Sequence, residues 1–111
     1  MRILLDHNTP APLRYALHGH QVETAYERGW AELLNGDLLA EAESAGFDLL
    51  ITTDKGIHYQ QNWTGRSLAL LVLSTNDWTR LRGHTDRILT AVNSLRPSAF
   101  IEVGIPKDER P

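Results

Sequence analysis

The stretch Phe47-Asp48-Leu49-Leu50-Ile51-Thr52-Thr53-Asp54 is an apolar run that ends on a carboxylate. A shorter run near the amino terminus, Arg2-Ile3-Leu4-Leu5-Asp6, ends in the same way. Short apolar runs that alternate with helical patterns indicate buried strands of a parallel sheet. Open α/β sheets bind their ligands outside the carboxyl ends of the strands, so we expect Asp6 and Asp54 to lie at the ligand-binding edge.

Outward from this stretch, the pattern predicts five strands separated by helical and irregular segments. Asn35-Gly36-Asp37 begins a helix that ends before Gly46, and Pro97 prevents continuation of the last helix. The predicted strands are 2–5, 21–24, 49–53, 68–73 and 100–103. The predicted helices run from Asn8 or Thr9 to Leu17, from 35 to 45 and from about 78 to 95, and 55–67 is predicted as an irregular connection.

These elements predict an α/β fold, a compact doubly wound and mainly parallel sheet of about five strands with right-handed crossovers. In the order 2-1-3-4-5 the first and third strands are neighbours, about 4.8 Å apart. Asp6 and Asp54 would then share one hard divalent cation, with Asp37 as a third oxygen ligand. We expect one domain, 1–103, followed by a flexible tail, 104–111.

Composition limits the classes of function. The 111 residues include no cysteine, which excludes disulfides, thiolate zinc sites and a cysteine nucleophile, and a cytoplasmic location with no membrane segment is expected. The net charge of −3 argues against a strongly basic nucleic-acid binder. However, residues 1–54 carry −6 and residues 55–96 carry +4. This asymmetry fits either a phosphate-binding face beside a metal cluster or simple complementary surface charge.

Three motifs, taken in chain order, resemble the pattern of PIN-like nucleases. They are Leu4-Leu5-Asp6-His7-Asn8, Asn35-Gly36-Asp37-Leu38-Leu39 and Leu50-Ile51-Thr52-Thr53-Asp54-Lys55. The resemblance covers nearly the whole chain and is greatest to the small PIN-like proteins related to VapC-type toxins. In that family an aspartate after the first strand, an acid that opens a later helix and a Thr-x-Asp after the next strand surround a metal. The residues at those positions here are Asp6, Asp37, Thr52 and Asp54.

The resemblance implies a Mg²⁺- or Mn²⁺-dependent endoribonuclease, the toxin of a toxin-antitoxin pair, with RNA as substrate and a small antitoxin protein as partner. Asp6, Asp37 and Asp54 would be the metal-binding and catalytic residues. Thr52 would orient Asp54, and Asn8 would cap its helix or hold a metal-bound water. The phosphate contacts would come from Lys55 and Arg66.

Other interpretations stay open. The family's usual Asp-Lys-Asp-Phe is replaced here by Asp54-Lys55-Gly56-Ile57, which suits a catalytically degenerate module that binds a partner protein or forms a homodimer. A small-ligand or phosphate sensor is a third interpretation, although the chain has no glycine-rich phosphate loop. Asp37 alone is better explained as a helix-capping residue. His7 and His58 are candidates for an acid–base role, and Trp63 for an RNA contact.

Overall fold

The strands form where short apolar runs bury both faces of a parallel sheet. In the computed structural model, which describes residues 1–63 and 65–106, the strands are β1 (Arg2–Leu5), β2 (Gln21–Thr24), β3 (Leu49–Thr52), β4 (Ala69–Leu73) and β5 (Phe100–Val103). Every residue of β3 and β4 is buried, as continuous apolar character requires. All four strand pairs are parallel and the order is β2-β1-β3-β4-β5, which confirms the predicted sheet and its order.

The helices agree with the sequence in position but differ in kind. They are a 3-10 helix (Ala11–Ala16), α1 (Asn35–Ser44), α2 (Ile57–Gln60), α3 (Trp78–Leu81) and α4 (Thr85–Ser94). The first helix has proline at its N-cap and in its first turn and is a 3-10 helix of six residues, a type that occurs mainly in short segments. The single helix predicted for 78–95 is wrong, because the chain breaks around Gly83. The predicted irregular connection contains α2.

Two apolar layers pack on opposite faces of the sheet. One face carries Ile3, Leu5, Ile51 and Leu71 against the 3-10 helix and α4, with Leu13, Leu17, Ile88 and Val92. The other carries Leu4, Leu50, Leu70 and Val72 against α1 and α2, with Leu38, Leu39, Ala42 and Ile57. The alternation along each strand sends successive side chains to opposite layers, so one sheet supports both.

The four crossovers between strands do not share one hand. The β1–β2 crossover passes over the face that carries the 3-10 helix and moves towards the β2 edge of the sheet. The β2–β3 and β3–β4 crossovers pass over the opposite face, which carries α1 and α2, and move towards the β5 edge. Reversing both face and direction preserves the hand, so these three agree. The β4–β5 crossover runs in the same direction as β2–β3, but α4 lies on the other face. Its hand is therefore opposite to that of the other three, so the expectation that all crossovers are right-handed is wrong.

The carboxyl-terminal segment begins with a packed residue. Ile105 is buried, and its N–H donates to the Ser74 hydroxyl at 2.8 Å. Of the tail predicted for 104–111, residues 104–106 are described and 107–111 lie outside the described residues. Among the helices that the structure describes, none has the length and apolarity needed to cross a bilayer.

Candidate functional site

Asp6 is a buried carboxylate at the carboxyl end of β1. Its side chain is 6% exposed, and its N–H continues the sheet by donating to the Ile51 carbonyl at 3.1 Å. Oδ1 accepts from the Thr9 N–H at 2.9 Å and the Thr9 hydroxyl at 2.6 Å, while Oδ2 accepts from the Thr52 hydroxyl. Three donors thus replace the water that burial removes, and they hold the carboxylate in one orientation.

Thr52 joins the ends of β1 and β3. Since Leu5 is level with Ile51, the next residue of each strand, Asp6 and Thr52, also lie side by side. The fully buried hydroxyl of Thr52 donates to Asp6 Oδ2 and accepts from the Asp54 N–H at 3.1 Å. Thr52 therefore contacts the backbone of Asp54 and not its carboxylate, and the carboxylate that its hydroxyl orients is that of Asp6.

Asp54 is half-buried and held by two donors. Its Oδ1 accepts from the Gly56 N–H at 2.9 Å, and its Oδ2 accepts from the Asn35 side-chain amide at 2.8 Å. Asn35 is the first residue of α1, so this bond ties the start of that helix to the carboxyl edge of the sheet. Sequence reasoning treated Asn35 only as part of a helix start and missed this contact. The signal that could have indicated it is the side-chain amide of Asn35, two residues before the candidate ligand Asp37.

Asp37 lies in the first turn of α1 and is exposed. Its carboxylate has no hydrogen-bond or ion-pair partner within the described residues, and its negative charge suits the positive end of the helix dipole. The structure places it two residues from Asn35, hence on the helix end that meets Asp54. The start of α1 therefore meets the carboxyl edge through Asn35, while Asp37 itself forms no contact with Asp6 or Asp54 within the described residues.

The donor set suits a hard cation only in part. Over residues 1–63 and 65–106, no three His, Asp or Glu side chains are grouped so as to hold a metal ion. Each carboxylate oxygen offers about two acceptor positions, so Asp6 Oδ2 and both oxygens of Asp54 keep capacity beyond their present bonds. Oxygen donors with spare capacity are what Mg²⁺ and Mn²⁺ require.

The remaining predicted residues lie in different places. Asn8 is exposed in the turn after Asp6 and does not cap the 3-10 helix, whose N-cap is Pro10. Lys55 is exposed at the carboxyl edge, beside Ser74 and Glu102. Arg66 precedes β4 and so lies at the amino edge, with its Nε donating to the Asn62 carbonyl at 3.0 Å. The structure therefore does not bring Arg66 to Asp6 and Asp54, which lie at the carboxyl edge.

An open cleft of about 610 Å³ begins beside Asp6. Residues from the turns after β1, β2 and β4 line it, and those that sequence reasoning did not assign to the site include Arg14, Tyr26, Glu27, Asn76 and Trp78. Arg14 forms an ion pair with Glu27 at 2.9 Å. The hydrogen bond from the Thr24 N–H, reinforced by Arg14, holds the pKa of Glu27 below its ordinary value.

His7 and His58 have different surroundings. His7 is exposed and lines the cleft, where an acid–base role is geometrically available. His58 is instead stacked on Phe100, with ring centroids 3.9 Å apart, and against Trp63 at 5.7 Å. The Trp63 indole N–H donates to the His58 carbonyl at 2.9 Å. Trp63 therefore packs in an aromatic stack, an arrangement that explains its position without an RNA contact.

Comparison of the chain with protein-family models, with curated proteins and with solved structures finds no match. The resemblance to PIN-like nucleases stays a prediction from the motifs.

Proposed function

We propose that this protein is a metal-dependent endoribonuclease of the PIN-like class. One observation carries the proposal: Asp6 and Asp54 follow the two strands that flank the switch point of the sheet, and one buried hydroxyl, that of Thr52, links them. This crevice is where open α/β sheets bind ligands. The exposed Asp37 on the adjoining helix end is the third acid of the proposed site.

Asp6, Asp37 and Asp54 would hold Mg²⁺ or Mn²⁺, which when bound supplies an activated water and neutralises charge on the phosphate. The chain's own contribution is orientation. Thr9 and Thr52 fix the Asp6 carboxylate, and Asn35 with the Gly56 N–H fixes that of Asp54. Lys55, the exposed residue that follows Asp54, is the candidate for a phosphate contact at this edge.

Binding of Mn²⁺ tests the site directly. Calorimetry at neutral pH should show binding to wild type and its loss in Asp6→Asn and Asp54→Asn, because each change removes a charged oxygen donor. Asp48→Asn is the matched control, since Asp48 is exposed at the opposite edge, where it accepts from the Arg2 N–H at 2.8 Å. Absence of Mn²⁺ binding by wild type, or its loss in Asp48→Asn as well, would contradict the proposal.

Cleavage of single-stranded RNA tests the activity. Wild type with Mn²⁺ should cleave, whereas Asp6→Asn and Asp54→Asn prepared in parallel should not. Equal cleavage by all three proteins would identify a contaminating nuclease and remove the case for this mechanism.

A second candidate function is a partner-binding module without catalysis. The observation that favours it is a pair of exposed apolar side chains at the α1–α2 side, Leu34 at 77% and Tyr59 at 75% exposure. An antitoxin protein or a second copy of the chain would cover them. Light scattering of wild type and Leu34→Ser/Tyr59→Ser separates the cases: a dimer lost in the variant favours self-association, and a monomer in both removes it.

A further inference from the structure

The cleft beside Asp6 is bounded by three separate turns of the chain. Asp6 and Asn8 come from the turn after β1, Tyr26 from the turn after β2, and Asn76 and Trp78 from the segment after β4. Its volume of about 610 Å³ lies within the range of roughly 300–1,000 Å³ that is typical of small-ligand sites. It adjoins the proposed catalytic edge without containing Asp37, Asp54 or Lys55 among its lining residues.

The charges of the cleft disfavour a bare phosphate. The guanidinium of Arg14 is already engaged, by Glu27 at 2.9 Å and by the Val22 carbonyl at 2.8 Å. Because Glu27 balances Arg14, the remaining full charge on the lining is the Asp6 carboxylate. In the protein without a metal, an anionic group there would meet repulsion, with no free arginine or lysine among the lining residues to offset it.

The other lining groups suit a neutral planar ligand that forms hydrogen bonds. Tyr26 is 81% exposed, and its ring has no hydrogen-bond or ring partner within the described residues. Trp78 is half-buried, with part of its indole packed on the core. The side-chain amides of Asn8 and Asn76 are exposed and without partners in the part of the chain that the structure describes. Aromatic faces stack on bases, and amides pair with base edges.

We infer that this cleft is a subsite for one unpaired nucleobase of the RNA. The inference rests on the proposed function, since it names what lies next to the cleavage edge. Tyr26 and Trp78 supply stacking surface, and Asn8 and Asn76 supply donors and acceptors for the edge of the base. The phosphate of that nucleotide would lie outside the cleft, towards Lys55.

Nucleosides test the subsite without metal, phosphate or catalysis. In heteronuclear NMR titrations with adenosine, guanosine, cytidine and uridine, at least one nucleoside should shift the Trp78 indole N–H and the Asn8 and Asn76 side-chain amides in a saturable way. The Trp30 and Trp63 indoles should not move, because both lie outside the cleft. Ribose 5-phosphate, which lacks a base, should produce no saturable shift.

Tyr26→Ala is the decisive variant, because this exposed side chain contributes little to the fold. Loss of one stacking surface should weaken nucleoside binding roughly 5- to 150-fold. Tyr15→Ala is the matched control: Tyr15 is similarly exposed, at 77%, but is not among the residues that line the cleft, so its loss should leave affinity unchanged.

Unsaturable shifts, equal binding of ribose 5-phosphate, or equal effects of Tyr26→Ala and Tyr15→Ala would overturn the subsite. Failure of the subsite can be distinguished from failure of the nuclease proposal. Nucleoside binding without RNA cleavage would leave the subsite and remove the nuclease, and cleavage without nucleoside binding would do the reverse.

Discussion

The single hydroxyl of Thr52 forms hydrogen bonds with both Asp6 and Asp54, which makes Thr52 the most informative residue to change. Thr52→Val keeps the volume but removes the donor to Asp6 and the acceptor of the Asp54 N–H. Because the site is fully buried, the unpaired groups should lower the free energy of unfolding by about 1–3 kcal/mol, as measured by urea denaturation.

Thr53→Val is the control for that change. Thr53 is the next residue and is half-buried, but its hydroxyl has no hydrogen-bond partner within the described residues. Its replacement should change the unfolding free energy by less than about 0.5 kcal/mol. Equal destabilisation by the two variants would mean that the link between the strand ends does not contribute to stability.

Part of the candidate site could be predicted at the level of residues. Asp6 and Thr52 meet because neighbouring parallel strands end at one edge, which follows from strand order alone. Asn35 reaches Asp54 through a side-chain rotamer and a helix position that no periodicity encodes. Arg66 could not be placed, because the edge on which a loop residue lies depends on where the next strand begins.

At the scale of elements, one carboxylate connects α1 to the start of β4. Glu43 accepts from the Ser67 N–H at 2.7 Å, the Ser67 hydroxyl at 2.8 Å and the Leu68 N–H at 3.1 Å. Burial acts to raise the pKa of Glu43, but these hydrogen bonds outweigh it, and the pKa lies below its ordinary value. The folded state therefore prefers the ionised form.

A glutamate whose pKa is lowered by folding stabilises the protein above its unfolded-state pKa and loses that contribution as the pH falls. Glu43→Gln should lower the free energy of unfolding by about 1 kcal/mol at pH 7. The difference from wild type should shrink as the pH falls below about 4.5. Urea denaturation across this range measures it.

Glu41→Gln, at an exposed position of the same helix, controls for the loss of a helical carboxylate. Its effect should stay small at every pH. A pH-independent difference between wild type and Glu43→Gln would show that the ionised carboxylate is not the stabilising form.

The elements themselves were largely accessible from sequence, because their signals are local. Strands 2–5, 21–24 and 100–103 were predicted with the observed bounds. The break in the last helix was missed because Leu81, Ile88 and Val92 keep helical spacing across it, and all three remain in the core. Apolar spacing therefore concealed a turn that only the backbone reveals.

At the scale of the molecule, charge should limit how RNA binding depends on salt. With a net charge of −3 and Lys55 as the predicted phosphate contact at the carboxyl edge, few counterions should be released. Lys55→Ala should reduce the slope of log affinity against log salt by about 0.7, the value for one contact to a single strand. Fluorescence anisotropy with a labelled RNA oligonucleotide measures this slope.

Arg66→Ala is the comparison for that measurement, because Arg66 carries the same charge at the opposite edge. It should leave the slope unchanged. A reduction equal to that of Lys55→Ala would mean that RNA also runs along the amino edge. Arg66 would then be a phosphate contact, as the sequence predicted.

The topology was predictable in its strand order but not in the path of the last crossover. General rules favour one hand, and nothing in 74–99 signals an exception. In the observed path α4 packs beside the 3-10 helix, where His20 Nε2 and Asn93 Oδ1 lie 2.7 Å apart. That choice also brings Asn76 and Trp78 to the cleft.

From the path of α4, whose crossover is opposite in hand to the others, we expect an order of assembly. Because α4 packs on the face that carries the 3-10 helix, its contacts join distant parts of the chain, and such contacts form slowly. During refolding, β1 to β4 would form first, and the outer edge of β4 would wait unpaired for β5. Five consecutive apolar residues, 69–73, line that temporary edge. The interval before β5 closes is therefore when the chain is most prone to aggregate.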